Sequence, residues 1–487
     1  MSSSPHSRLR AEWCPSIPRE LMAGAVATFA LIPEVIAFSF VAGVDPAVGL
    51  FASFVIGIVI AFTGGRPAMV SAAAGSVALV AAPLVHAHGL PYLLAAGVLA
   101  GLMQIVFGLL RLGVLMRFVS SSVRTGFVNA LAILIFAAQM PHFIGANMAT
   151  WAMVGLGLAV IYLLPRITTA VPSPLVCIVV VTLVGHWLDL PLKTVADLGQ
   201  LPGALPAFAL PDVPLTLETL RIIALPAFAI AMVGLLESMM TASVVDELTD
   251  TPSSKNRECS GLGVANVAAS FFGGIAGCGM IGQTVSNVRY GGRGRLSTLF
   301  AGAFLLILMV ALKPWVSQVP VAALVAIMVM VSASTFDWGS LRALVRHPRM
   351  SSAVMLATVA VTVATDNLAA GVATGVMLSG VFFTFKVARL LHVDAQPGEE
   401  GAARVYRVRG QVFFASADML VDAFDVREID GAPVRIDVSA AHFWDVTAVA
   451  ALRKVVERLR KHGSTVEVTG MNQASRDLVL QLDAAPE

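Results

Sequence analysis

The chain has 487 residues, of which 57% are hydrophobic and 13% charged, and its mean hydropathy is +0.83. Hydropathy this high excludes an ordinary soluble domain and predicts a polytopic membrane protein. The net charge is +2 and the sequence has no basic tract, so the composition does not predict nucleic-acid binding.

The N-terminal residues and the cysteines predict neither a signal peptide nor a metal site. Residues 1–19 have no apolar core, so we expect a cytoplasmic N-terminal segment that is not cleaved. The four cysteines lie far apart, without metal-ligand or disulfide spacing. The sequence has no Walker loop, no Gly-x-Ser-x-Gly motif and no dinucleotide fingerprint after a predicted strand. We therefore expect neither an enzyme nor a bound cofactor.

Apolar runs of about the length of a membrane span fill the chain from residue 20 to residue 391. In the first half they lie near 20–42, 47–64, 70–86, 90–110, 124–140, 151–164 and 172–188. In the second half, after a proline-rich joint, they lie near 221–246, 258–276, 279–290, 296–312, 316–333, 350–365 and 367–391. The sequence predicts an all-α membrane domain, 20–391, built from two repeats of about seven helices, 20–190 and 221–391.

The number of predicted crossings also predicts how the two repeats are oriented. An odd number of crossings in each repeat forces the second repeat to be inverted in the lipid bilayer. The distribution of basic residues agrees, because the joints predicted on the outer side carry only Lys193, Arg221 and Lys313, whereas the inner joints are rich in arginine. Both termini are therefore predicted to be cytoplasmic.

The C-terminal part of the chain, 393–487, has the pattern of a small α/β domain. Residues 404–414, 434–438 and 465–468 alternate or cluster as strands do, and 448–461 has apolar residues at helical spacing. We predict a separate cytoplasmic domain in this part of the chain.

Two stretches broken by glycines carry most of the functional signal. They are 73–77, which contains Gly75, Ser76 and Val77, and 277–284, which contains Gly282, Gln283 and Thr284. Each follows a Gly-Gly pair and lies at nearly the same distance from the start of its own repeat. Interrupted helices at matching positions of two repeats indicate a transporter's substrate site, and their free N–H groups would attract an anion. The alternative is that these glycines only allow close helix packing.

Two acidic residues lie inside apolar runs, where a charge is costly and often marks an ion or proton pathway. Glu237 has Thr241 one turn later on the same helix face, and Glu34 follows Pro33 and precedes Phe38 by one turn. We predict that Glu237 and Thr241 take part in proton coupling. A structural carboxyl, kept neutral by packing, is the alternative for each acid.

At these residues the chain resembles the SulP (sulfate permease) family of anion transporters. The resemblance rests on residues 32–38, 42–50, 64–67 and 279–293, and 437–448 is similar to the core motif of the family's cytoplasmic STAS domain.

The resemblance implies a core and a gate domain formed from two inverted repeats of seven helices, with an anion bound between the third and tenth helices. It places Gly75, Ser76 and Val77 at one helix end and Gly282, Gln283 and Thr284 at the other. It also implies site positions for Glu34 and Phe38, and it matches Glu237 to an acid on the eighth helix. Many members have arginine at the position of Gln283, so here the anion would depend on helix dipoles and on a proton.

The functional prediction is a secondary anion transporter of the inner membrane, a homodimer by family resemblance, with an elevator-like movement of one bundle against the other. Its predicted substrate is a small organic anion, such as the dicarboxylate fumarate, carried with a proton. The alternatives are sodium-coupled uptake of bicarbonate or sulfate, a membrane protein that senses anions without transporting them, and a nucleobase transporter. The predicted partners are a small anion, a proton or sodium ion and the lipid bilayer.

Overall fold

The computed structural model describes residues 12–113, 119–168, 172–198, 206–346, 348–396, 403–425 and 431–483, without the side chains of residues 312 and 483. Most of the predicted N-terminal segment, residues 1–11, lies outside this set. The chain forms two compact units, Met1–Val376 and Met377–Glu487.

The helices follow the same order in both halves of the membrane domain. The first half contains α1 (Ile17–Val41), α2 (Pro46–Thr63), β1 (Ser71–Ala72), α3 (Gly75–His88), α4 (Leu90–Leu109), α5 (Ser121–Ala137), α6 (Met140–Phe143), α7 (Met148–Ile167), α8 (Ser173–Trp187) and α9 (Val195–Leu198). The second half contains α10 (Leu217–Thr249), α11 (Lys255–Phe271), β2 (Cys278–Gly279), α12 (Ile281–Arg289), α13 (Arg295–Val316), α14 (Val321–Thr335), α15 (Trp338–Arg346), α16 (Arg349–Thr365) and α17 (Leu368–Ala388). Each half places two helices before a two-residue strand and a shorter helix.

The helices have the length and surface that a bilayer requires. In the described part of the chain, eight helices are long and apolar enough to span a membrane, and four shorter helices are also apolar. Their backbone polar groups bond within each helix, so they can lie in lipid without unpaired groups. Leu163, Leu183 and Leu225 are more than half exposed on these helices, as expected of side chains that face lipid.

Two short strands join the broken regions of the two halves. β1 and β2 pair antiparallel, with Ser71 opposite Gly279 and Ala72 opposite Cys278. The backbone N–H of Met280 extends this pairing by donating to the carbonyl of Val70 at 2.8 Å. Because each strand directly precedes a broken helix, the pairing fixes the starts of α3 and α12 close together.

A buried carboxylate holds the start of α13. Glu20, in the first turn of α1, is fully buried. Its Oε1 accepts hydrogen bonds from the backbone N–H groups of Arg293 at 2.7 Å and Gly294 at 2.9 Å, and its Oε2 accepts one from Ser297 at 3.0 Å. The carboxylate satisfies free N–H groups at a helix start, which is the role of a capping side chain.

The C-terminal part folds as the sequence predicts, with additional elements. It contains β3 (His392–Gln396), β4 (Arg404–Val412), α18 (Ala417–Asp422), β5 (Val434–Phe443), α19 (Val446–Lys461), β6 (Val466–Thr469) and α20 (Gln473–Asp483). The sheet order is β3-β4-β5-β6, with β3 antiparallel to β4 and the other pairs parallel. Leu452, Val455 and Leu459 form the buried face of α19 that packs into the core of this domain.

Candidate functional site

The starts of α3 and α12 form the centre of the candidate site. Neither helix has a side-chain cap at its N-terminus. The first N–H groups of a helix have no partner inside the helix, so both starts present donors and positive partial charge. The antiparallel pairing of β1 with β2 brings these two positive ends into the same region.

One side chain from α12 strengthens the pairing of the two breaks. The hydroxyl of Thr284 accepts a hydrogen bond from the backbone N–H of Val70 at 3.0 Å and lies 3.3 Å from its carbonyl oxygen. Thr284 is fully buried. Its hydroxyl therefore holds the segment before β1 rather than facing open space.

α1 contributes an aromatic ring and a carboxyl group. The ring of Phe38 packs against Gly75 so closely that a methyl group at Gly75 would lie only 2.7 Å from Cε1 of the ring. Glycine is therefore required at this close contact between α1 and the start of α3. Glu34 lies one turn before Phe38 and interacts with the side chain of Gln283 from α12.

α10 contributes a second carboxyl group, which joins the helix to both breaks. The hydroxyl of Ser76 and the thiol of Cys278 both donate to Oε2 of Glu237, and the Cys278 Sγ lies 3.0 Å from that oxygen. Ser76 belongs to the first turn of α3, and Cys278 belongs to β2. One carboxylate oxygen thus connects α10 to both broken segments.

Two further side chains of α10, those of Ser238 and Thr241, bond to the backbone of β2. The hydroxyl of Thr241 lies 2.9 Å from the carbonyl oxygens of both Glu237 and Gly279. The hydroxyl of Ser238 accepts the backbone N–H of Gly279 at 2.8 Å. Both side chains therefore tie α10 to β2.

The electrostatic balance of the site is unusual for an anion site. Glu34 and Glu237 are both partly exposed, and they are close enough to act on each other electrostatically. Besides each other, the described groups that act on the two carboxyls are Gln283, Ser76 and Cys278, and none of these is a cation. Helix dipoles and neutral donors are thus the attractive features for an anion here.

The structure brings the predicted site residues into one region but gives them different surroundings. Gly282 is exposed and has open space around its Cα, whereas Ser76, Val77 and Gln283 are buried. The open space at Gly282 marks the accessible side of the α12 start. Substrate contact by these residues stays a prediction.

Sequence reasoning missed Cys278 and Ser238. Cys278 has no metal-ligand or disulfide spacing, and its only signal is its place inside the glycine-broken stretch 277–284. Ser238 directly follows Glu237, but only the rotation of α10 shows which backbone group it meets. In the described residues, no group of three or more His, Cys, Asp and Glu side chains could hold a metal ion.

Comparisons with known proteins match the chain over nearly its whole length. A family model described as the sulfate permease family matches residues 17–358, and a STAS domain model matches residues 395–486. A protein of Bacillus subtilis (strain 168), named "Putative sulfate transporter YbaR", is 50% identical over 97% of this chain and 98% of its own length. The bicarbonate transporter BicA of Synechocystis is 26% identical, over 87% of this chain and 82% of its own length.

Solved structures show the same fold. The transmembrane domain of a cyanobacterial bicarbonate transporter BicA matches 73% of this chain and 98% of its own with a TM-score of 0.67, at 26% identity. Murine Slc26a9, an anion transporter solved in the inward-facing state, matches 99% of this chain and 91% of its own with a TM-score of 0.85, at 17% identity. The chain therefore belongs to the sulfate permease family of anion transporters, which are multi-pass membrane proteins and not enzymes, and it carries a C-terminal STAS domain.

Proposed function

We propose that this chain takes up a small inorganic oxyanion, sulfate or bicarbonate, at the site between the starts of α3 and α12. The observation that carries the proposal is the meeting of two uncapped helix starts, which β1 and β2 hold together. Such a pair of positive helix ends favours an anion without needing a basic side chain.

The relatives favour an inorganic oxyanion over the dicarboxylate that the sequence alone suggests. The names of these relatives are "Putative sulfate transporter YbaR" and "Bicarbonate transporter BicA". Fumarate carries its two carboxylates at opposite ends of a rigid trans double bond, so only one of them can reach the point where the two helix starts meet. A compact oxyanion with hydrogen-bond acceptors on every side suits two converging sets of N–H donors better.

We further propose that a proton accompanies the anion and binds at Glu237. An anion that enters a site with two nearby carboxylates is repelled unless at least one of them is protonated. Glu237 is the better candidate, because Ser76 and Cys278 link it to both broken segments. Protonation of Glu237 would therefore change the contacts at the anion site itself.

Sodium coupling is the second candidate, and the surroundings of Thr241 favour it. Its hydroxyl and the carbonyl oxygen of Gly279 lie 2.9 Å apart, close to Glu237, and oxygen ligands of this kind suit a hard cation. Against sodium, Oε2 of Glu237 already accepts a hydroxyl and a thiol. A thiol is a poor ligand for a hard cation.

The arrangement in the cell is also part of the proposal. We place the chain in the inner membrane as a homodimer with both termini in the cytoplasm, and we keep 20–391 as the transporter domain and 393–487 as the STAS domain. Transport would involve movement of one bundle against the other around the fixed site.

Uptake into proteoliposomes tests the function. Labelled sulfate and labelled fumarate would be offered under an inward proton gradient or an inward sodium gradient, and bicarbonate would be tested as a competitor of sulfate uptake. We expect sulfate accumulation that follows the proton gradient and is reduced by bicarbonate. Accumulation of fumarate alone would overturn the choice of substrate, and accumulation that follows only sodium would overturn the choice of coupling ion. A chain that binds sulfate without any uptake would be a sensor and not a transporter.

A further inference from the structure

A cavity of about 230 Å³ lies in the membrane unit, and its lining contains none of the residues of the candidate site. Its walls come from α6 and the residues after it, from the first two turns of α7, from the segment after α8 and from the first two turns of α14. Its polar lining residues are His142, Asn147, Thr150 and Lys193. We call this cavity the vestibule.

Hydrogen bonds hold the walls of the vestibule in place. The carbonyl of Lys193 accepts the backbone N–H of Val321 at 2.9 Å, which fixes Lys193 against the start of α14. The side chain of Asn147 donates to the carbonyl of Pro191 at 3.0 Å and accepts the N–H of Thr150 at 2.8 Å. The vestibule is thus built from anchored segments.

The charges around the vestibule favour an anion. Lys193 brings a fixed positive charge to the cavity, and the imidazole of His142 brings a ring N–H that can donate a hydrogen bond. Val321, the first residue of the 15-residue helix α14, also lines it, so a positive helix end contributes. None of its described lining residues is acidic. The acid that acts on Lys193 from nearby is Asp197, whose carboxylate accepts hydrogen bonds from Thr194.

A smaller cavity extends from the vestibule toward α1. It has a volume of about 50 Å³ and shares His142, Val321 and Val325 with the vestibule. Its wall also includes Ala37, the residue before Phe38 of the candidate site. Because the two cavities share these residues, their combined lining runs from Lys193 to the helix that carries Glu34 and Phe38.

We propose that the vestibule is an anion-capture site, where His142 and Lys193 bind the oxyanion before it moves along α1 to the central site. This inference rests on the proposed function, because it assigns the same substrate to a second site. It also supplies the fixed positive charge that the central site lacks among its described groups. The charge of Lys193 would raise the local anion concentration and so lower the KM for anion that enters from the Lys193 side of the membrane.

A thiol-modification experiment tests the vestibule without any transport measurement. Ile144 lines the vestibule and is 81% exposed, whereas Met148 is 82% exposed and does not line it. Ile144→Cys and Met148→Cys would each react with an anionic and with a cationic methanethiosulfonate reagent. The parent chain corrects for its own four cysteines.

We expect the anionic-to-cationic rate ratio to be at least about threefold higher at position 144 than at position 148, as a nearby unit charge predicts. Adding Lys193→Gln should abolish that difference, and millimolar sulfate should slow the anionic reagent at position 144 alone. Equal ratios at the two positions, or a ratio that Lys193→Gln leaves unchanged, would overturn the capture site. This result holds whether or not sulfate proves to be the transported anion.

Transport kinetics give the second test. Lys193→Gln should raise KM for sulfate about 3- to 10-fold when sulfate is added on the Lys193 side, while kcat in that direction stays unchanged. Lys193→Arg should restore the KM, and Lys313→Gln, which removes a lysine outside the vestibule, should have no effect. A fall in kcat with an unchanged KM for sulfate added on the Lys193 side would contradict a capture site.

Vesicles of two lipid compositions test whether the vestibule binds the transported anion or the headgroup of an anionic lipid. The KM effect of Lys193→Gln should be the same in vesicles of phosphatidylcholine and in vesicles that also contain phosphatidylglycerol. An effect confined to phosphatidylglycerol vesicles would mean that the vestibule holds a lipid headgroup, and the proposal would be wrong.

Discussion

The Sγ atom of Cys278 lies 3.0 Å from Oε2 of Glu237, so β2 and α10 meet at a carboxyl group. The same oxygen accepts the hydroxyl of Ser76, which is 1% exposed in the first turn of α3. Any change in the charge of Glu237 therefore acts on contacts to both broken segments. This arrangement gives a physical link between ion binding and the shape of the anion site.

The thiol of Cys278 should contribute to transport through its hydrogen bond. Cys278→Ala removes one of the two donors to Glu237 and should lower the transport rate about fivefold, which corresponds to about 1 kcal/mol. It should also change the pH dependence of the rate. Cys278→Ser keeps a donor and should retain most of the activity. Cys259→Ala is the control, because Cys259 is also buried, on α11, and it should leave the pH profile unchanged.

The contact between Phe38 and Gly75 should not tolerate a methyl group. Gly75→Ala would place Cβ 2.7 Å from the ring, so we expect a loss of about 1–3 kcal/mol in stability or a strong loss of transport. Adding Phe38→Leu should restore part of the activity. The control is Gly155→Ala on α7, where a methyl group meets nothing within 4 Å and should be neutral in thermal unfolding and uptake. If Gly75→Ala took up the anion at the wild-type rate, the contact between the Phe38 ring and Gly75 would not be part of the site.

A bulky side chain at Gly282 should block the anion without disturbing the fold. A Cβ atom at Gly282 meets nothing within 4 Å, so Gly282→Trp can extend into the open space at the start of α12. We expect uptake to fall at least about 10-fold, while the elution profile in size-exclusion chromatography, which reports whether the protein is folded and monodisperse, stays unchanged. Gly380→Trp on α17 is the matched control, since Gly380 also has nothing within 4 Å and should stay active. Equal uptake by the two variants would place the substrate elsewhere.

Asp437 of the STAS domain should make that domain sensitive to acid. The backbone N–H of Ser439 donates to its Oδ1 at 3.0 Å and, as the main cause, lowers the pKa of this carboxyl below its ordinary value of 3.8. The folded form therefore gains stability above the pKa of the unfolded chain and loses it as the pH falls through the folded pKa. Asp437 is only partly buried, so solvent screens its charge and the gain is small.

Hydrogen exchange of β5 in the full chain measures this effect. The backbone amides of β5 should exchange slightly faster in Asp437→Asn than in the wild type at neutral pH. This difference should disappear at a pH below the pKa of Asp437 in the folded chain. A difference that grows as the pH falls would contradict the assigned sign.

The sequence predicts the helices well because a helix that crosses lipid needs a run of about 20 mostly apolar residues. The apolar runs agree with the observed helices to within several residues, and the family match and the fold comparison confirm the predicted fold class. The glycines at Gly75 and Gly282 also mark where helices break. The sequence does not predict α15, because an amphipathic helix of nine residues leaves no apolar run.

The contacts of the site cannot be predicted in the same way. β1 and β2 have two residues each, which is too short for a strand pattern. The sequence predicts Thr284 at the site but does not predict the hydrogen bond that its hydroxyl accepts from Val70, because that contact depends on the rotation of α12. Such directions depend on how helices pack against one another, and a single sequence does not specify that packing.

The most direct test of proton coupling at the anion site is proton-driven accumulation by Glu237→Gln. Wild-type protein and Glu247→Gln, which changes an exposed acid on the same helix, should both accumulate sulfate in proteoliposomes when an inward proton gradient is imposed. Glu237→Gln should still exchange labelled for unlabelled sulfate but should not accumulate it. Accumulation by Glu237→Gln that follows the proton gradient as in the wild type would contradict the central claim.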